Sequence, residues 1–252
     1  MWEIKKISNF KANNPVFIEG LPGIGNVGKV VVDFLIEQLK AKKIMSLFSY
    51  NLPNSVFVNE KNLVELPRIE IYHKKMGNKD FLFLAGDVQP SDELSCYQFC
   101  EEIIKLCHKH KCKDIITLGG IGLIDIPKQP RIFCTGNTEQ AVKKYAVKNI
   151  QTNLYGIVGP IVGVSGLLLG MAKHDTKAVS LLAETYGHPM YLGVKGAKEI
   201  LKYLNQRFSF KVKITKLDKE IKDMEEELLK KTEELANVAK QPTAQFDVNY
   251  IG

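Results

Sequence analysis

Arginine is nearly missing from this chain. Of its 35 basic side chains only Arg68, Arg131 and Arg207 are arginine, whereas proteins that read base edges or clamp phosphates lean on the guanidinium fork. The lysines are scattered, and neither a helix-turn-helix signature nor an interleaved basic and aromatic pattern is present, so nucleic acid is not an expected partner. Cysteine is scarce as well. The five cysteines are an odd number without a CxxC pair, which excludes a disulfide framework and tetrahedral zinc spacing although His108, His110 and Cys112 lie close in sequence. Cys96, Cys100 and Cys107 recur on one helical face, as small buried apolar residues do. Met1-Trp2-Glu3-Ile4-Lys5-Lys6 lacks the apolar core of a secretory leader, so reduced thiols and a cytoplasmic location are expected. Charge is absent from 149–172, a stretch longer than the roughly 20 residues that span a bilayer. Gly156, Gly159, Pro160, Gly163 and Gly166 interrupt it, so strand, turn and buried helix are expected there and no membrane contact.

What is present is most informative over 16–39. Val16-Phe17-Ile18 reads as a strand, Glu19 to Asn26 as a glycine loop, and Val27, Val31, Phe34, Leu35 and Leu39 as the buried stripe of a helix. Two motifs overlap in the loop. Gly23-x-Gly25-x-x-Gly28 matches the dinucleotide fingerprint in its strand-to-helix setting, but Ser49, Tyr50 and Asn51 stand where a ribose-binding acid belongs. Gly23-x4-Gly28-Lys29 approaches a phosphate-binding loop, but Val30 replaces the Ser or Thr that would ligate magnesium. The alternative is that these glycines let a helix pack tightly on a sheet.

Further along, strands are expected at 4–7, 44–50, 56–58 and 63–72, then a hairpin at Met76-Gly77-Asn78-Lys79 leading into a buried strand at 80–85. Ser91 or Asp92 should cap a helix to about Lys111. Asp114-Ile115-Ile116-Thr117-Leu118 reads as a strand closed by a second glycine turn, Gly119-Gly120-Ile121-Gly122. Strands at 131–134, 154–158 and 178–182 follow, with helices capped by Thr138 and Ser165 and a last helix over 195–207. This alternation implies an α/β fold, a three-layer α/β/α sandwich around a mostly parallel or mixed sheet. Ligands gather at strand carboxyl ends in such sheets, where Glu19, Asp87, Glu184 and the glycine loops would meet. A candidate ligand pocket is therefore Gly23, Gly25, Gly28, Asp87 and Glu184. No nucleophile motif and no metal cluster accompanies it, and carboxylates that bond loop amides are the competing explanation.

Beyond residue 208 the character changes. Ile214, Leu217, Ile221, Met224 and Leu228 form a heptad seam on a charged helix, resumed by Leu235 and Val238. The formal net charge of +7 lies before this segment, where acids and bases nearly cancel. Gln241-Pro242-Thr243 ends the helix. Phe246, Val248, Tyr250, Ile251 and Gly252 then make an apolar, aromatic terminus of the kind that docks in a partner's pocket. Three segments are expected: a core at 1–208, a projecting helix at 209–240 and a docking tail at 241–252.

In this order and spacing, Gly20-Leu21-Pro22-Gly23-Ile24-Gly25-Asn26-Val27-Gly28, Gly86-Asp87-Val88-Gln89-Pro90, Gly119-Gly120, Gly163-Val164-Ser165-Gly166-Leu167-Leu168 and Leu182-Ala183-Glu184-Thr185 resemble the archaeal proteasome-assembly-chaperone family. The resemblance implies a nucleoside-phosphorylase-like core, no catalytic activity and no cofactor. It also implies a homo-oligomer, tetrameric or pentameric, whose C-terminal tails meet proteasome α subunits or a homologous assembly chaperone. The family's tail ends in a hydrophobic residue, Tyr and one terminal residue. Here Asn249 precedes Tyr250 and Ile251-Gly252 follows it, moving the carboxylate outward by about 3.5 Å. The rival function is a phosphate- or nucleoside-binding enzyme or sensor that uses the loop at 23–29.

Overall fold

The computed structural model describes residues 2–59, 61–147, 149–153, 159–172, 176–215 and 217–219. The chain forms two compact units, Met1–Lys213 and Ile214–Gly252. The first contains, in chain order, β1 (Glu3–Lys6), β2 (Val16–Gly20), α1 (Val27–Leu39), β3 (Lys42–Phe48), β4 (Phe57–Val58), β5 (Val64–Glu65), β6 (Ile69–Met76), β7 (Lys79–Gly86), α2 (Glu93–Lys109), β8 (Asp114–Leu123), β9 (Ile132–Gly136), α3 (Glu139–Tyr145), β10 (Ile150–Gln151), α4 (Val164–Met171), β11 (Lys177–Tyr186) and α5 (Val194–Phe208).

Nine of these strands make one mixed sheet in the order β1-β3-β6-β7-β2-β8-β11-β9-β10. Its centre, β7-β2-β8-β11, is parallel, while β1, β3 and β6 extend it antiparallel on one side and β9 runs antiparallel to β11 on the other. Every residue of β2 is buried, as a central strand covered on both faces requires. Alternation along it sets the layers. Gly20 meets α1 at Gly28 and Val32, whereas Glu19 meets α4 at Ser165, so the two helices lie on opposite faces. Helices α2 and α4 cover one face with Phe99, Ile103 and Leu168 over Phe17, Leu82 and Ile115. Helices α1, α3 and α5 cover the other. The result is the expected three-layer α/β/α fold, and each fully buried Phe or Ile adds about 1.5–3 kcal/mol through the area it removes from water.

Several local expectations hold. Gly77, with φ +56°, turns the two-residue hairpin between β6 and β7. Asp92 caps α2, and Thr138 caps α3 by accepting from the Ala141 N–H (3.1 Å). Thr138→Ala should lower stability by about 1 kcal/mol in urea melts, with Thr138→Ser close to wild type. Cys96, Cys100 and Cys107 are all buried on α2.

Other expectations are corrected. Gly119-Gly120-Ile121-Gly122 is no turn, because β8 runs through it to Leu123, paired throughout with β11. The glycines are needed for another reason: a Cβ on Gly120 would lie 2.4 Å from the Ile24 carbonyl oxygen, so the loop after β2 rests directly on this strand. The run 63–72 divides at Leu66-Pro67-Arg68 into β5 and β6, since proline cannot donate within a ladder. β4 and β5 form a separate two-stranded ribbon.

The chain after α5 stays with the first unit as far as Lys213. Phe210 packs on Phe81 with ring centres 4.9 Å apart, and Asn205 Oδ1 accepts from the Val212 N–H (3.1 Å). Of the heptad seam, Ile214 and Leu217 are described, joined by a turn in which the Leu217 N–H donates to the Ile214 carbonyl (3.0 Å). Ile221, Met224, Leu228, the terminal residues 241–252 and the expected strand at 154–158 lie outside the described residues.

Candidate functional site

Between β2 and α1 the chain makes one turn of 3-10 helix, Ile24–Asn26, with Gly25 (φ +59°) and Asn26 (φ +49°) left-handed. Asn26 N–H donates to the Gly23 carbonyl (2.9 Å), and Gly193 N–H donates to the Gly25 carbonyl (2.7 Å). A Cβ on Gly20 would lie 2.3 Å from the Gly28 oxygen, and one on Gly28 would lie 2.3 Å from the Leu118 oxygen. The first turn of α1 therefore sits on the bare backbones of β2 and β8. Gly25 is equally enclosed, since its Cβ would meet the Thr185 side chain at 2.8 Å. Gly23 alone of the three candidate loop glycines has open space, with nothing within 4 Å. Lys29, the cation of the phosphate-loop pattern, is held at the end of β7: its ammonium donates to the Gly86 carbonyl (3.0 Å) and lies 2.9 Å from Asp33 and 3.7 Å from Asp87.

The carboxylates at the strand ends are each engaged separately. Asp87 accepts from the Arg68 backbone N–H (3.1 Å) and from Arg68 Nε (3.2 Å). Buried Glu184 accepts from the Arg131 backbone N–H (2.9 Å) and Nε (2.8 Å), while the Arg131 guanidinium lies over the Phe133 ring. Their strands, β7 and β11, are separated by β2 and β8, so the structure does not bring Asp87 and Glu184 into one site. Glu19 is different, being wholly buried and, among the described residues, bonded to no cation. Leu21 N–H donates to its Oε1 and Ser165 Oγ to its Oε2, each at 2.8 Å. Burial pushes its carboxyl from the ordinary 4.5 up to about 7 against those hydrogen bonds.

The expectation that Ser165 caps α4 is corrected by that bond. Gly163, at φ +84°, takes the capping position, and the Ser165 hydroxyl reaches Glu19 from inside the first turn. A cleft of about 530 Å³ opens beside it, with Gly23, Ile24, Gly119, Ile161, Ser165 and Leu182 among the residues in its walls. Gln89 ties the two sides together. Its Nε2 donates to the Pro22 carbonyl (2.9 Å) and its Oε1 accepts from the Val164 N–H (3.3 Å), joining the loop after β2 to the start of α4. With apolar walls, one hydroxyl and one amide, the cleft can hold an apolar group and offers few polar contacts to fix a phosphate. Among the described residues no cluster of His, Cys, Asp and Glu is placed to hold a metal, and no helix is long and apolar enough to cross a membrane.

The model of the PAC2 family matches residues 17–232, most of the chain and all the elements from β2 to α5. The chain belongs to the PAC2 family. Among solved structures, it is similar to PbaB of Pyrococcus furiosus, an archaeal proteasome activator, at 30% identity and TM-score 0.82, covering 92% of this chain and 98% of that one. PbaA of the same organism, an archaeal homolog of proteasome-assembly chaperone, shares the fold at 24% identity and TM-score 0.73, with 94% of each chain covered. Uncharacterized protein MJ1210 of Methanocaldococcus jannaschii is 29% identical over 95% of this chain and 93% of its own. The expected likeness to archaeal proteasome-assembly-chaperone proteins is thus met by family and fold together.

Of the pocket residues expected in this PAC2 chain, Gly23 and Gly28 border the cleft, while Gly25 is packed against Thr185 and Asp87 and Glu184 pair elsewhere. Gln89 and the Glu19–Ser165 bond were not singled out as the ties across it. One signal existed: a glutamate in the middle of a run of buried strand residues has to find a donor from outside its own strand.

Proposed function

We propose that this PAC2 protein is a non-enzymatic, ATP-independent assembly chaperone or adaptor for the proteasome, which self-associates and docks on proteasome α subunits or on a homologous chaperone. The observation that carries the reading is its likeness to PbaB, an archaeal proteasome activator, over 92% of the chain at TM-score 0.82. The α/β core supplies the body of the oligomer and the seam of Ile214, Leu217, Ile221, Met224 and Leu228 the spacer. The tail residues Phe246, Val248, Tyr250, Ile251 and Gly252 supply the contact. Several tails on one particle raise the combined affinity by effective concentration, offsetting weak single contacts where Tyr250 stands one place further from the carboxylate than in the family's pattern.

Deleting 241–252 should leave the thermal midpoint and the particle mass as they are and abolish capture of proteasome α subunits in a pull-down. Undiminished capture would take the tail out of the mechanism. The rival, a phosphate or nucleoside enzyme or sensor, draws on the cleft beside Gly23. It needs a cation at the loop, and Lys29 is engaged with Gly86, Asp33 and Asp87. Calorimetry with phosphate, nucleosides and nucleotides is expected to show no heat of binding; micromolar binding lost in Lys29→Ala would favour the rival.

A further inference from the structure

Lysines that are scattered in the sequence are gathered by the fold. Across the neighbouring strands β3-β6-β7-β2-β8, the amino-terminal edge of the parallel strands carries Lys42 at the start of β3, opposite His73, and Lys75 near the end of β6, opposite Asp80. Lys79 follows at the start of β7 and Lys113 just before β8. Helix α2 runs back to this edge and adds Lys109 and Lys111. Phe10 sets the two groups side by side, its ring centre 5.5 Å from that of His73 and 4.7 Å from that of His110. All six lysines are exposed, and among the described residues none of them is in an ion pair. Asp80 and Asp114, the acids at these strand starts, are buried and held elsewhere. Asp80 accepts from the Asn13 N–H (3.1 Å) and lies 2.7 Å from His73 Nε2, and Asp114 accepts from Lys144 (2.6 Å).

Neighbouring strands lie about 4.8 Å apart, closer than the about 8 Å over which physiological salt screens a charge, so the lysines of this row repel one another. Three ordinary reasons for lysine do not cover it. A helix C-terminus favours cations, which accounts for Lys109, but strand dipoles nearly cancel and offer Lys42, Lys75 and Lys79 no such site. Lysine also guards the open edge of a sheet, yet β6, β7 and β8 are interior strands with a neighbour on each side. Solubility needs charge on the surface, not charge in one row. At the carboxyl ends, by contrast, the cations are paired: Lys29 with Asp33, Arg68 with Asp87 and Arg131 with Glu184. The imidazole in the midst of the row feels its field. Burial first, and then the charges of Lys109, His73 and Lys6, hold His110 below the ordinary histidine range.

We propose that this row is a docking surface for an acidic, extended segment of a protein partner, whose Asp and Glu carboxylates lie along Lys42, Lys75, Lys79 and Lys113 with Lys109 and Lys111 beside them. Four strand spacings from β3 to β8 make a track of about 19 Å, the length of about six residues of extended chain. What the row lacks favours a protein over a nucleic acid. None of the three arginines stands in it: Arg68 and Arg131 pair at the carboxyl ends and Arg207 lies over Tyr145, so no guanidinium fork is offered to a phosphate. The rings beside it, Phe10 and Phe208, are packed on His110 and Phe81 rather than held out for a base to stack on. Lysine is a point charge on a flexible stem, which suits carboxylates on equally flexible side chains. The inference goes beyond the proposed function, which places the contact in the tail.

The test is fluorescence anisotropy of a labelled decaglutamate peptide titrated with the full chain. Saturable binding is expected in about 50 mM salt, and binding at least about tenfold weaker in about 200 mM. K75E/K113E should weaken it at least about tenfold, with a thermal midpoint within about 2 °C of wild type because both side chains are exposed. K61E/K128E makes the same change in net charge at exposed positions away from the row, in the β4–β5 turn and after β8, and should stay within about twofold of wild type. No saturation by wild type would overturn the proposal, as would equal losses in the two double variants, which would reduce the row to net charge. Tighter binding of a ten-residue oligothymidylate, or of vesicles of phosphatidylserine and phosphatidylcholine, would also overturn it and assign the row to nucleic acid or to a lipid surface. The chain without 241–252 should bind the peptide as wild type does. The two readings therefore fail separately, the tail by capture of α subunits and the row by anisotropy.

Discussion

Gly28→Ala should destabilise the protein by at least about 3 kcal/mol, the upper end of what overpacking costs, because the added methyl has nowhere to go. Its Cβ would stand 2.3 Å from the Leu118 carbonyl oxygen, 3.0 Å from the carbon of that carbonyl and 3.3 Å from Gly20 Cα. All three are backbone atoms of β2 and β8, the two strands at the centre of the sheet, so no side chain can swing aside. Either α1 lifts off both strands or the sheet opens. For a domain of this size a loss of about 3 kcal/mol corresponds to a fall of roughly 6–12 °C in thermal midpoint. Gly23→Ala is the control. Gly23 has ordinary extended backbone (φ −162°) and nothing within 4 Å of its Cβ position, so the change should stay within about 0.5 kcal/mol. A loop whose glycines served to bring amides close to a phosphate would not rank these positions by clash with β8. Equal stabilities for the two variants, read from urea midpoints, would remove the packing account of Gly28.

That contrast shows where the sequence was sufficient and where it was not. Elements whose signals are local were legible: the strand, glycine loop and helix at 16–39, the Gly77-Asn78 hairpin, the Thr138 cap and the buried cysteine face of α2 all follow from neighbours a few residues apart. Gly119, Gly120 and Gly122 were misread as a turn because glycine has two uses, positive φ and the absence of a side chain, which look alike in sequence. Here the second use governs, and its cause, the Ile24 carbonyl lying over Gly120, comes from a segment nearly a hundred positions away. The same limit applies at the strand ends. Glu19, Asp87 and Glu184 do lie towards the carboxyl ends of their strands, but their partners, Ser165, Arg68 with Lys29, and Arg131, are brought in by separate elements. Spacing along the chain contains no information about which of those partners arrives first.

Glu19→Gln should stabilise this protein, and by an amount that depends on pH. In the folded chain, burial raises the Glu19 carboxyl from about 4.5 to about 7, against the donors Leu21 N–H, Ser165 Oγ and the Leu118 backbone N–H. A group whose folded pKa lies above its unfolded value holds its proton longer when folded, so between those two values the folded state binds more protons and stability falls as pH rises. The loss is complete above pH 7 and amounts to about 3 kcal/mol for a shift of this size. An amide has the shape of the protonated acid. Its oxygen can accept from Leu21 N–H and its nitrogen can donate to the Ser165 oxygen, but it has no charge to desolvate. Urea melts of Glu19→Gln and wild type should therefore agree near pH 4.5, diverge through pH 6 and differ by about 3 kcal/mol at pH 8 in favour of the variant. Taking the difference cancels every other titrating group that the substitution leaves untouched. A difference that stays flat from pH 4.5 to 8 would mean that Glu19 ionises alike in the folded and unfolded chain, and the bond to α4 would then be an ordinary carboxylate contact with access to water.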